Sequence, residues 1–237
     1  MTMHIYAINA LREYVRFYDA QGWKDRPETN KVIEYLNKKS DVKSIKVGSY
    51  TLTKEEIMSQ ANIDYRSFVQ SRHSIRDFDY DKLKEKEVKQ AIETAILSPS
   101  ACNRQMCKVY FIKNNSIKNK IIEMAQGFGG FKKETINILL ITFDINANYF
   151  IGERNQGWFN AGLFSTNLIN ALHSKGIGSC FCQFGNKSEE EDEIKRIVGI
   201  PQNERIAVIL SIGHYKQANK ILYSPRKNIK ELYTCVE

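Results

Sequence analysis

Apolar residues recur at helical spacing through the first part of the chain, then gather into short dense runs separated by amphipathic segments. Ile8, Leu11, Val15 and Tyr18 predict an opening helix. Asp25, Pro27 and Glu28 suit the start of a second helix, with Val32, Ile33 and Leu36 as its apolar side. Thr53-Lys54-Glu55-Glu56 reads as a capping box that opens a helix through Ile57 and Ala61 towards Phe68. From Arg72 onward helices alternate with strands. Val88, Ile92, Ala95 and Ile96 mark an amphipathic helix ending near Ser98-Pro99. Val109 to Ile112 is a short strand, and Ser116 caps a helix through Ile121, Ile122 and Ala125. Ile136 to Phe143 is almost wholly apolar, as expected of a strand covered on both faces. A helix from about Gln156 to Ser174 follows, with Ala161 and Gly162 thinning one face for close packing. Ser179 to Phe184 is strand-like, Ser188 caps a helix led by Glu189 to Asp192, and Arg205 to Gly213 is another buried strand. Alternation around one sheet predicts a layered α/β or α+β domain. The expected division is a helical extension over 1–66 and a second domain over 67–237.

Composition narrows this picture. The chain has 237 residues, 42% of them hydrophobic and 26% charged, so a sizeable core can form and wholesale disorder is excluded. No apolar run approaches the eighteen residues of a membrane span, and no basic segment followed by an apolar one opens the chain. The expectation is a soluble cytoplasmic protein without a membrane partner. The net charge of +8 comes from scattered Lys interleaved with Glu, without a basic stripe carrying aromatics, which argues against nucleic acid. Cys102, Cys107, Cys180, Cys182 and Cys235 are odd in number and their spacing does not match zinc knuckles. They are expected to be buried free thiols, with no metal bound, and Cys180 and Cys182 to share one strand face.

Three segments carry candidate chemistry. In Ser71-Arg72-His73-Ser74-Ile75-Arg76-Asp77-Phe78, two arginines four apart lie on one side of a helical turn or converge from a turn. With the serine between them they make a receptor for a terminal phosphate, or simply a solvated basic turn. In Ser98-Pro99-Ser100-Ala101-Cys102-Asn103-Arg104-Gln105, amide side chains offer donors and acceptors suited to the mixed edge of a heterocycle, or form an ordinary polar loop. Ser224-Pro225-Arg226-Lys227 brings two further cations.

Together with GIGSCFCQFGN and GIPQNERIAVILSIGHY, these segments resemble, in order and in rough spacing, the nitroreductase family of flavin oxidoreductases over about residues 66–237. The resemblance implies an α+β fold with a mostly antiparallel sheet flanked by helices. It also implies a homodimer with FMN at the interface and NADH or NADPH as reductant. Hydride would pass through the flavin, in ping-pong fashion, to an organic acceptor such as a nitroaromatic or quinone. Arg72, His73, Ser74 and Arg76 match the family's FMN-contacting opening, Arg72 and Ser74 towards phosphate or ribityl and Arg76 towards the pyrimidine edge. Pro99, Ser100, Asn103 and Gln105 match a loop that touches flavin from the other subunit. Cys182, Gln183 and Phe184 match the segment whose backbone amide faces flavin N5, and Arg226 matches the terminal phosphate-binding arginine.

The departures are Met106-Cys107, in place of a Pro-aromatic pair, and Asn160, where an acidic residue is frequent. His73 reads either as a proton donor or as a packed residue beside the phosphate; its place inside the turn favours the second. No side chain has the pairing of an activated nucleophile or general base, so the flavin would carry the chemistry. Reductive dehalogenation or flavin fragmentation on the same fold is the competing enzymatic reading. It requires zwitterion-binding residues, which Gly127 to Thr135 do not clearly supply. A non-catalytic flavin-binding protein is the remaining alternative.

Overall fold

The computed structural model describes residues 2–23, 26–47, 63–185, 187–219, 221–222, 224 and 226–236. The chain forms two compact units, residues 1–63 and 64–237. In the first, helices α1 (Thr2–Ala20) and α2 (Pro27–Asn37) pack together, with Pro27 in the first turn of α2 where its missing N–H costs nothing. Buried Asn9 donates to the Lys43 carbonyl at 2.9 Å, and Arg12 donates to those of Lys39 and Val42, both at 2.9 Å. These two polar residues therefore close the helix pair. The capping box at Thr53 lies outside the described residues.

The second unit is built on one sheet of four strands, β1 (Cys107–Ile112), β2 (Asn137–Asp144), β3 (Ile177–Cys182) and β4 (Glu204–His214). Their order is β1-β2-β4-β3 and every pairing is antiparallel. Among the described residues five α-helices accompany it: α3 (Tyr65–Ser71), α4 (Glu85–Ala95), α5 (Asn115–Met124), α6 (Gln156–His173) and α7 (Ser188–Val198).

The apolar run of β2 is explained by two cores. Ile138 and Leu140 join Ile121, Ile122 and Ile194 on the side of α5 and α7. Leu139 and Ile141 join Val88, Ala91, Leu168 and Leu172 on the side of α4 and α6. Alternate side chains thus enter opposite layers, and both layers exclude water.

The ends of some elements differ from expectation. Asn114, not Ser116, caps α5, its side chain accepting from Ser116 N at 2.9 Å and Ile117 N at 3.1 Å. An Asx side chain reaches the second and third free amides of a helix better than a residue already inside its first turn. Ser188 likewise sits inside α7, whose N-cap is Lys187. Gly162 is exposed with open space around it; the close approach on α6 is at Gly157, where a Cβ would stand 2.1 Å from the buried Phe143 ring.

Candidate functional site

The Arg72–Phe78 segment is extended rather than helical. Helix α3 stops at Ser71, and Arg72 takes φ −79° and ψ 124°. Ser74 then forms a parallel bridge with Ser179, and Ile75 N–H donates to the Ser179 carbonyl at 3.0 Å. Farther along, Asp79 N–H donates to the His214 carbonyl at 2.9 Å. Ile75 and Phe78 supply the reason: both are buried and anchor the segment on the sheet edge. Gly213 makes this possible, because a Cβ there would lie 2.6 Å from Phe78 Cβ.

Extension changes how the two guanidinium groups converge. In a pleated chain Arg72, Ser74 and Arg76 fall on one side by the period of two. The buried Cys180 thiol lies among them. Burial raises its pKa, while Arg76, a hydrogen bond with Ser74, and Arg72 oppose the shift. Burial likewise pushes Cys182 up to about 11. Arg76 also lies over the Phe131 ring, 5.9 Å from its centroid. Among the described residues no carboxylate pairs with Arg72 or Arg76, so two half-buried guanidinium groups face this edge without neutralisation. An anionic group is what such a place accommodates.

A histidine that the sequence did not single out holds this segment at its origin. His173, the last residue of α6, has Nε2 2.8 Å from Ser71 Oγ and Nδ1 2.8 Å from the Tyr215 hydroxyl. Ser71 Oγ donates to the Phe68 carbonyl, so it accepts from Nε2–H, and Tyr215 donates to Nδ1. Burial, with Arg72 and His73 nearby, holds the His173 pKa below its ordinary value and favours the neutral ring. His73 itself is exposed.

Cys182, Gln183 and Phe184 leave the same sheet edge. Cys182 is buried, Gln183 exposed, and Phe184 packs against the core. The turn at Gly127 presses on this peptide: a Cβ there would stand 2.0 Å from Gln183 N. Cys180 and Cys182 share a buried strand face, with Phe181 exposed between them. Cys102 and Cys235, however, are exposed rather than buried.

The loop after α4 forms a separate group. Cys102, Asn103 and Gln105 all have positive φ, 50°, 53° and 50°. Three left-handed residues without glycine are costly, and such strain concentrates at functional sites. The loop is held from within by Gln105 N–H on Ser100 Oγ at 3.1 Å and by Gln105 Nε2 on Asn103 Oδ1 at 3.1 Å. It is held from outside by Arg104, which makes a two-pronged pair with Glu153 at 2.7 and 2.8 Å and donates to the Ala147 carbonyl at 2.8 Å. Arg104 draws Glu153 down to about 2, helped by the Tyr149 amide, and its own pKa rises. Pro99, Ser100 and Gln105 line a cavity of about 210 Å³ with Ser98, Met106, Asn160 and Phe164. Sequence reasoning noted Met106 and Asn160 only as departures and passed over Phe164.

Arg226 is exposed and donates to the Ser224 carbonyl at 3.0 Å. The twelve expected site residues therefore fall into three places: Arg72 to Arg76 beside Cys182 to Phe184, the Pro99 to Gln105 loop, and Arg226. Among the described residues no hydrogen bond joins one place to another.

Antiparallel sheet, two flanking helical layers and an arginine-bearing segment laid on the sheet edge together define a fold that is known. The model of the nitroreductase family matches residues 69–214. The chain belongs to that family. A protein of Archaeoglobus fulgidus, provisionally named an NADH dehydrogenase/NAD(P)H nitroreductase, is 22% identical over 149 residues, covering 62% of this chain and 83% of that protein. The nitroreductase family protein of Streptococcus pneumoniae superposes with a TM-score of 0.62 at 19% identity, covering 73% of this chain and all of that one. A nitroreductase of Desulfitobacterium hafniense with bound FMN gives 0.56 at 18% identity, over 73% of this chain and 97% of that one.

Proposed function

We propose that the chain is an FMN-dependent oxidoreductase that draws on NADH or NADPH and reduces a small organic acceptor such as a nitroaromatic or quinone. The observation that carries this reading is the pair of unneutralised arginines, Arg72 and Arg76, on an extended segment fixed to β3. They suit a dianionic terminal phosphate, and Gly176-Ile177-Gly178 is a helix-to-strand turn rather than a pyrophosphate loop. The FMN-bound relative supports the same cofactor.

When bound, FMN supplies hydride exchange between nicotinamide and acceptor in alternate half-reactions. The chain's own part is binding and field. Arg72 and Ser74 would take phosphate or ribityl, Arg76 the pyrimidine edge of the ring, and Arg226 a further phosphate oxygen. A guanidinium beside the pyrimidine edge stabilises negative charge there and raises the reduction potential. The Cys182 to Phe184 backbone would face the ring's central edge. Pro99, Ser100, Asn103 and Gln105 would complete the site of a second copy in a homodimer, which agrees with the lack, among the described residues, of any hydrogen bond between them and Arg72 within one chain. Tyr149, Phe150, Ile151 and Phe159 are 63% or more exposed, apolar surface of the kind that association covers. Among the described residues no helix is long and apolar enough to cross a membrane.

The purified protein is expected to be yellow, to bleach with NADH or NADPH, and to release FMN on heating. A colourless chain that does not take up added FMN, or one that releases FAD, overturns the reading.

A further inference from the structure

Three elements meet at the ring of His173. Phe68 of α3 packs on it with ring centroids 5.1 Å apart, and Tyr215, just past β4, stands nearly perpendicular to it at 6.0 Å. Both ring nitrogens are engaged, one by Ser71 and the other by Tyr215. Tyr215 is fixed in turn: its N–H donates to the Gly176 carbonyl at 3.2 Å, and its ring packs against the core. Ser71 is the last residue of α3, and Arg72 follows it directly. The ring therefore fastens the start of the arginine segment to α6 and, through Tyr215, to the turn that leads into β3. Ser74 and Ile75 fasten the middle of that segment to Ser179. Arg72 lies between the two fastenings, so its backbone is held from both sides.

The ring faces Phe68 and Ser71 from α3, Arg72 and His73 from the segment after it, and Tyr215 from the stretch after β4. Burial opposes a proton on this ring, and the positive charge of Arg72 and His73 adds to that. Hydrogen bonding does not oppose it. An imidazolium donates from both nitrogens; Ser71 Oγ already accepts, and the Tyr215 hydroxyl can turn from donor to acceptor. Burial and unneutralised positive charge are thus what keep the ring neutral. An anion seated on Arg72 removes the second of these.

We propose that His173 is a positioning residue of this anion place: it fixes Arg72 through Ser71, and it takes up a proton when a divalent anion seats on Arg72. Linkage makes the effect reciprocal, so the anion binds more tightly to the protonated form. The seated anion lifts the ring's pKa back towards its ordinary value. Affinity therefore rises as pH falls through the anion-bound pKa, and levels off below the lower pKa of the free site. This coupling rests on Arg72 and Arg76 forming the anion receptor proposed above, whichever anion fills it.

The test uses the full chain, first free of flavin with sulfate as the probe and then with FMN added. Sulfate keeps both charges where a phosphate monoester, of second pKa about 6, loses one. The His173 ring is followed by NMR from about pH 8 to about pH 5. Saturating sulfate is expected to raise its titration midpoint, a readout that needs no variant. Sulfate affinity should grow about fivefold or more over the same range. His173→Gln, with a melting curve to show that it folds, should remove the His173 share of that growth and leave only what exposed His73 supplies. His173→Ala should weaken sulfate even at about pH 8, where the ring is neutral, and His173→Gln, which retains an amide donor, should restore part of the loss. A midpoint that sulfate leaves unmoved, equal pH dependence in His173→Gln, undiminished affinity in His173→Ala, or no saturable sulfate binding would each overturn the proposal. Sulfate coupled to His173 in a chain that takes up no FMN would strike the flavin reading alone. FMN uptake with an unmoved His173 midpoint would strike this proposal alone.

Discussion

Arg76 and His73 stand three positions apart and differ in nearly every physical respect. Arg76 is half-buried, lies over Phe131 and acts on the Cys180 thiol, whereas His73 is exposed. Arg76→Ala is therefore expected to weaken FMN binding and slow flavin reduction together, as read by flavin titration and stopped-flow absorbance. His73→Ala should keep most of its FMN and lose about tenfold or less in turnover, since water can supply a proton at an exposed position. A loss of a thousandfold with FMN fully retained, about 4 kcal/mol of barrier, would instead make His73 the catalytic acid. The arginines were visible in the sequence because guanidinium pairs stand out in any fold. His173 and Glu204 were not. Glu204 is wholly buried and accepts from Thr142 at 2.6 Å and from Tyr110 at 2.9 Å, besides pairing with Lys108. Burial opposes its ionisation, but these donors prevail and its pKa falls below the ordinary carboxylate value. Its partners come from other strands, and no local pattern announces such a meeting.

Elements were legible where one rule decided them and obscure where a tertiary contact did. All four strands were expected within about two residues of their ends, because runs such as Ile136 to Phe143 admit little else. The Arg72–Phe78 segment has no such run; its extension comes from Ser179, which local reading cannot reach. The strained loop and the Phe150–Arg154 turn were equally hidden, since what ties them is a distant partner, Arg104 paired with Glu153. That pair gives the acid response a sign. Glu153 is held at about 2 against an ordinary 4.5, so its contribution is complete above pH 4.5 and is lost as pH falls towards 2. Melting temperatures of the wild type and Glu153→Gln should differ by a constant amount from pH 7 down to about 4.5, then converge. A gap that stays unchanged down to pH 2.5 would mean that Glu153 is not ionised through this pair.

At the scale of the whole molecule, no hydrogen bond among the described residues joins the Pro99 loop to Arg72 or Arg76, and on the proposed function a second copy brings the two places together. Sedimentation of the FMN-loaded protein should give a homodimer. A 27.4 kDa species with full flavin occupancy would rule out a shared site. Family membership was readable because five weak segments kept their order. The proposed division of labour between two copies was implied only by that resemblance, since spacing along one chain is silent about which copy a loop serves.

Ser71 and His173 are 102 positions apart, and Ser74 bridges Ser179 across a similar span. Closing so large a loop carries an entropic cost of order (3/2)RT ln n, offset only once β3 is seated against β4. During synthesis the two arginines emerge early, yet the anion receptor proposed for them cannot exist until most of the second unit has left the ribosome and folded. On the proposed function, cofactor capture would thereby be a final inspection. A chain broken or stalled before Ser179 would gain nothing from abundant ligand, whereas each completed one would be drawn further towards the folded state by mass action.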